Sequence, residues 1–196
     1  CHRLPRFEVG LCSRRPSLRR RSSGLTASSV AERVLVGYIT DVEGDFDFWR
    51  RYCALSAVLE TAEGAEPKLK PGCHFVYGGD AVDKGSGDLR FLRSVLGLKS
   101  RYPERVHLLL GNRDINKMRL PAELCDAHWL SAGSHPGVYW RRGFLPSNFL
   151  AAQPSLQMAA DTQANRLRYM LAETMGAVRT FELRREELQL LRRDAE

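Results

Sequence analysis

Long hydrophobic runs are missing from this 196-residue chain: no stretch approaches the roughly 18 consecutive apolar residues of a membrane helix, so no segment reads as one. Cysteine is sparse and unpatterned. Cys1, Cys12, Cys53, Cys73 and Cys125 are odd in number, scattered and never spaced as CxxC, which argues for reduced thiols in an intracellular protein. There is no G-x-x-x-x-G-K-[ST], and no G-x-G-x-x-G after a strand, which weakens a nucleotide-binding reading. Internal repeats are also lacking. What is present, 43% apolar and 27% charged residues in 22.2 kDa, suits a soluble globular protein with one proper core and excludes wholesale disorder.

Acidic residues are nearly absent from positions 1–30, where seven arginines face Glu8 alone, a net +6. The remaining 23 basic and 22 acidic residues nearly cancel, so the +7 of the whole chain belongs to the tail. The body therefore lacks the bulk positive field of a nucleic-acid binder, and no nucleic-acid or membrane partner is expected. The Arg/Ser-rich tail has no hydrophobic periodicity with which to order itself. It reads either as an organellar transit peptide, for a plastid or mitochondrion, or as a disordered leader on a cytoplasmic protein. The chain opens on Cys1 and stops at Glu196 inside a helical pattern, and is read as a piece of a longer product: a leader over 1–30, then one incomplete domain over 31–196.

From Val34 the pattern is that of an α/β protein. Residues 34–39, 74–77 and 106–110 are short apolar runs of strand type. Phe48, Tyr52, Leu55 and Leu59 recur at helical spacing, predicting a helix to about Glu60, with a loop over 61–72. Leu89, Leu92 and Leu96 predict the inner stripe of a second helix. Strands separated by helices imply a parallel sheet with crossovers. Residues 121–160 read as loops and turns. Over 161–193 one or two helices are expected, with Leu167, Leu171, Met175 and Val178 facing inward and the charges from Glu182 to Glu187 on a solvated face. His74 and His107 fall within or beside strands and read as core or edge residues.

Three polar motifs follow the three strand ends, which is where ligands bind in open α/β sheets. The first is Asp41-Val-Glu43-Gly44-Asp45-Phe-Asp47. It is not an EF-hand loop: counted from Asp41, position six is Phe46 instead of Gly and position twelve is Tyr52 instead of Glu. Asp45 and Asp47 read as caps of the following helix, which leaves Asp41 and Glu43 as oxygen donors aimed at one point. The second motif is Gly78-Gly79-Asp80-Ala-Val-Asp83-Lys84-Gly85, and the third is Gly111-Asn112-Arg113-Asp114.

The order D-x-[H]-G, G-D-x-x-D-x-G, G-N-[H]-[DE] over residues 34–120 resembles the calcineurin-like metallophosphoesterase superfamily, on the side holding protein serine/threonine phosphatases. The resemblance implies the N-terminal half of that fold, with metal-site loops at the strand C-terminal ends. It implies Asp41 and Glu43 at a first metal, Asp80 bridging two metals, and Asn112 on the second. Asp83, Arg113 and Asp114 take catalytic positions, Asp83 as an orienter, while Lys84 and Arg113 contact phosphate. The implied cofactors are two divalent ions, Mn favoured, with Mg, Fe or Zn as alternatives. The implied reaction is hydrolysis of a phosphate ester on a protein or small molecule by a metal-bound hydroxide.

Two positions depart from the family pattern. Glu43 replaces a metal-binding His, which either hardens the first site toward Mn or Mg or falls short of the metal. Arg113 replaces the catalytic His; guanidinium does not deliver a proton at neutral pH but grips phosphate in bidentate fashion. The family's later H-G and G-H-x-H motifs have no convincing counterpart: His128 beside Trp129 reads as structural, and His135 as a loop residue. The alternative function is a pseudo-phosphatase that binds phosphate or regulates without turnover.

Overall fold

The computed structural model of the chain describes residues 34–62, 64–124 and 145–193. The leader and the positions of His128 and His135 lie outside the described residues. A parallel sheet of three strands organises the first half: β1 (Leu35–Ile39), β4 (Cys73–Tyr77) and β5 (Val106–Leu108), in the order β1-β4-β5. Helix α1 (Phe46–Leu55) and the small antiparallel pair β2 (Leu59–Glu60) and β3 (Lys68–Leu69) connect the first two sheet strands. Helix α2 (Asp88–Arg101) connects β4 to β5. The α/β class expected from the alternation of elements is therefore observed.

Strand alternation sorts the side chains. Phe75, Tyr77 and Val106 point to the helices and are buried, while on the opposite face His74 stacks on the exposed His107, with ring centroids 6.0 Å apart. Trp49 of α1 locks the layers together: it lies 5.8 Å from the ring of Phe75 and meets Phe91 edge-on at 5.4 Å. Its indole N–H donates to Ser94 Oγ at 3.1 Å, so the buried ring carries no orphaned donor.

The structure corrects several sequence expectations. Helix α1 stops at Leu55, five residues early, because Ser56 turns to an extended conformation and its hydroxyl accepts from the N–H groups of Val58 and Leu59, each at 3.2 Å. Leu55 is exposed, and Leu59 is buried in β2 instead, paired with Leu69 inside the stretch expected to be a loop. On α2 the inner stripe is Phe91, Val95 and Leu98, and Leu96 is 53% exposed. Phe91, Val95 and Leu98 take the innermost positions, and of the predicted leucines Leu92 packs, partly buried, against the same core.

The region expected to be loops contains α4 (Leu120–Leu124), after the short α3 (Asn112–Lys117), together with α5 (Pro146–Ala151) and α6 (Leu156–Ala159). These helices are too short to show a hydrophobic period, and Pro146 opens α5 at its first turn. Helix α7 (Gln163–Tyr169) runs into a π-helical stretch over Met170–Thr174, then Gly176 at φ 64° ends it, with Ala177 N–H reaching Leu171 O at 2.8 Å. That change of pitch buries Leu171 and Met175 but leaves Val178 in the following turn, 72% exposed rather than inward. The last helix, α8 (Thr180–Arg193), returns to the first half of the chain. Its charge run is not simply a solvated face: Glu187 is 1% exposed, and its carboxylate accepts from Leu89 N and Arg90 N at the start of α2, at 2.8 and 3.1 Å. Among the described residues no helix is long and apolar enough to cross a membrane.

Candidate metal centre

Where the strands end, their loops stay in step. The parallel ladder continues beyond the sheet through Asp41 N to Gly79 O (3.0 Å), Glu43 N to Asp80 O (3.0 Å) and Gly44 N to Ala81 O (2.9 Å). The third loop is drawn in by Asp114, whose Oδ2 accepts from Asp80 N at 2.7 Å and Gly111 N at 2.9 Å and whose Oδ1 accepts from Ala81 N at 3.3 Å. Such packing needs glycine at the closest approach. A Cβ on Gly79, itself at φ 102°, would lie 2.1 Å from Gly111 N, and one on Gly111 would lie 2.1 Å from Asp80 Oδ1.

The backbone at these turns is unusual in one respect. Asp41, Glu43, Asp80 and Asp83 have φ values of 54, 51, 56 and 98°, the left-handed region that side chains seldom adopt, and they are the described non-glycine residues that do so. Each costs conformational energy that the loop ladder holds in place, and strain of this kind concentrates at functional sites. Its effect here is convergence. One carboxylate oxygen from each of Asp41, Glu43 and Asp80 lies within 4.8 Å of the others.

Asn112, at the start of α3, completes the cluster. Its carboxamide, with the NH2 turned inward, donates to Asp80 Oδ2 at 2.8 Å and Oδ1 at 3.3 Å; with the oxygen turned inward it would face two carboxylate oxygens, an arrangement that a shared cation would satisfy. Asp80 Oδ1 also accepts from Arg113 N at 2.9 Å. The four residues expected to surround a metal therefore lie together. All are oxygen donors, the hard set that suits Mg, Mn or Ca.

The other expected site residues border this cluster in different ways. Arg113 Nη1 and Lys84 Nζ both donate to Glu43 Oε1, Lys84 at 2.9 Å. Asp83, almost fully buried, faces Lys117 Nζ at 2.6 Å rather than the side chain at position 113. Asp114, expected among the catalytic residues, has its carboxylate engaged by three backbone N–H groups, those of Asp80, Ala81 and Gly111. Asp45 accepts from Phe48 N at 2.8 Å as the α1 cap, while Asp47 in the first turn pairs with Arg50 at 3.9 Å.

Sequence reasoning missed Lys117, Asp88 and Arg184. Lys117 follows Arg113 by one helical turn, a spacing that was available as a signal. Asp88 was not legible: it is 3% exposed, accepts from Asp83 N at 3.1 Å and faces Arg184 Nη2 of α8 at 3.5 Å. Burial, partly offset by the hydrogen bond from Asp83 and by Arg184, pushes its carboxyl up from 3.8 to about 6. Below the cluster, burial also raises the Tyr77 hydroxyl, which accepts from Val42 N at 3.4 Å.

An open cavity of about 320 Å³ adjoins the centre at Gly44 and Lys84 and continues along Gly85, Arg90 and Leu183 of α8. A larger one, about 710 Å³, lies behind α1 around Trp49, Cys53 and Pro67; neither cavity is lined by Asp41, Glu43 or Asp80, and the smaller one reaches the cluster only through Lys84, whose ammonium pairs with Glu43. Neither a scan of protein-family models nor a search of curated proteins finds a match to this chain.

Proposed function

We propose that this chain carries the catalytic strand-end half of a metal-dependent phosphoesterase of the calcineurin-like kind. The observation that carries the reading is the convergence of Asp41, Glu43 and Asp80, each on a left-handed backbone, at adjacent ends of a parallel sheet. Three carboxylates brought together repel; Arg113 and Lys84 compensate two of the three charges at Glu43, a shared cation would compensate the rest, and the oxygen-only donor set favours Mn or Mg. Asp41, Glu43 and Asp80 would hold one ion, and Asp80 with the Asn112 amide oxygen would serve a second. When bound, divalent ions supply Lewis acidity toward a phosphoryl oxygen and activate water.

The remaining roles follow from the side chains. Asp114 fixes the peptide of Asp80 and so the direction of its carboxylate. Arg113 and Lys84 supply the positive charge that orients a phosphate monoester and stabilises charge developing on its oxygens. Arg113 keeps its proton and so cannot itself protonate a poor leaving group. Aryl phosphates, whose leaving groups depart unprotonated, are therefore the favoured substrates, and alkyl phosphates are slow ones. The cavity beside Gly44 and Lys84 offers room for the leaving group.

The test is turnover of a generic aryl phosphate with Mn by the full chain and by Asp80→Asn. The reading expects Mn-dependent hydrolysis that the substitution reduces at least about a hundredfold, in the range seen when a main electrostatic contributor is removed. Equal rates in the two proteins would remove the enzyme. One observation favours a second reading, a phosphate-binding module without turnover: Glu43 already has two cationic partners and does not need a metal to balance it. Phosphate binding with no Mn-dependent hydrolysis would be its signature.

A further inference from the structure

The two cations next to the cluster are not free. Arg113, from the first turn of α3, and Lys84, from the loop after β4, converge on one atom, Glu43 Oε1, as two donors would converge on an oxygen of a bound anion. The side chains of Arg113 and Glu43 are only 15% and 20% exposed, so solvent does little to weaken that pair, whereas Lys84 at 43% is the more screened partner. We infer that Arg113 and Lys84 form an oxyanion site whose resident occupant is the Glu43 carboxylate, and that Glu43 exchanges partners, so that phosphate is admitted when Glu43 turns to a divalent cation.

The charge balance gives the exchange its direction. Asp41, Glu43 and Asp80 outnumber Arg113 and Lys84, which leaves the cation-free cluster at a net −1 that repels phosphate. Asp83 and Lys117 cancel one another, and Asp114, which backbone N–H groups hold but do not neutralise, adds to the negative charge beside the cation-free cluster. With a divalent ion the cluster stands at +1, and Arg113 and Lys84 lose their internal partner at the same moment. Phosphate and cation then bind with positive coupling, and by linkage each tightens the other by the same factor. A site of this design stays shut to phosphate esters until it is loaded. The cation half of the exchange rests on the proposed metal centre; the occupancy of the oxyanion site by Glu43 does not.

Calorimetric titration of the full chain with inorganic phosphate, in the absence of metal, isolates the occupancy. Glu43→Gln is expected to bind phosphate about tenfold more tightly than the parent, because Arg113 and Lys84 are released. Asp41→Asn removes the same charge from the same cluster but leaves the Glu43 pairs intact, and is expected to gain less than about threefold. Adding Arg113→Gln to Glu43→Gln should abolish the gain, and circular dichroism confirms that each variant is folded. No gain in Glu43→Gln, or an equal gain in Asp41→Asn, would overturn the inference. A second arm titrates the parent with Mn, with and without phosphate. Coupling of about tenfold or more supports the exchange, and saturable Mn binding that phosphate leaves unchanged contradicts it. Absence of any Mn binding would instead sink the metal centre, while the metal-free arm still reads the oxyanion site.

Discussion

Asp114 shows how much of a site is decided by a residue that need not touch a ligand. Its carboxylate gathers three N–H groups from two loops, and one of them belongs to Asp80, held at φ 56°. Asp114→Ala leaves those donors without an acceptor and frees the Asp80 peptide to relax. Outer groups that orient ligands typically cost 10–100-fold in metal affinity when lost. A loss of about tenfold or more in Mn affinity, measured by calorimetry on a variant that remains folded, is therefore expected; unchanged affinity would show that the Asp80 turn holds by itself. Asp88 makes a prediction of opposite sign to the usual carboxylate. Its carboxyl is raised from 3.8 to about 6, so the native state holds the proton more tightly than the unfolded chain. Its contribution is most favourable below about pH 4 and declines as pH rises through 6. The stability difference between the parent and Asp88→Asn, from urea midpoints at pH 4 to 7, should shift against the parent over that window, and a flat difference would contradict the buried carboxyl.

At the scale of elements, the strand-loop-helix units were legible because two signals agreed: short β-branched runs, and glycine-acid turns immediately after them. The faces of the helices were less so. Leu89, Leu92 and Leu96 and the stripe Phe91, Val95 and Leu98 both have helical spacing, and the packing of Phe91 against Tyr77 of β4 and Trp49 of α1 shows which lies innermost. Phe91→Ala should cost about 3–5 kcal/mol in chemical denaturation, whereas Leu96→Ala should stay within about 0.5 kcal/mol. Similar costs would restore the leucine stripe. The role of Glu187 was not legible at all, because its partners Leu89 and Arg90 lie 98 and 97 residues away and a Glu in a mixed-charge helix reads locally as solvated. It serves as a remote acceptor for the first turn of α2, with Arg184 Nη1 at 3.1 Å on its other oxygen. Glu187→Ala, which strands two N–H donors and leaves the Arg184 guanidinium with Asp88 alone, is expected to cost about 2–4 kcal/mol by urea denaturation. Glu187→Gln keeps an acceptor and should cost less; equal losses would mean that charge, not acceptance, matters at that position.

Across the whole molecule, the parallel sheet turns separation in sequence into proximity. Residues 41, 80 and 112 meet because β1, β4 and β5 are neighbours and end at one edge, and the grouping of the oxygen donors was legible from that topology alone. Their partners were not. That Glu43 answers to Arg113 and Lys84, and Asp83 to Lys117, depends on side-chain reach across loops, which spacing does not encode. The proposed function requires a divalent cation at this edge. The most direct measurement is calorimetric titration of Mn into the metal-stripped full chain and into Asp80→Asn. Saturable binding by the parent, weakened about tenfold or more by the substitution, is the predicted result; no saturable binding, or equal affinity in both proteins, would contradict it.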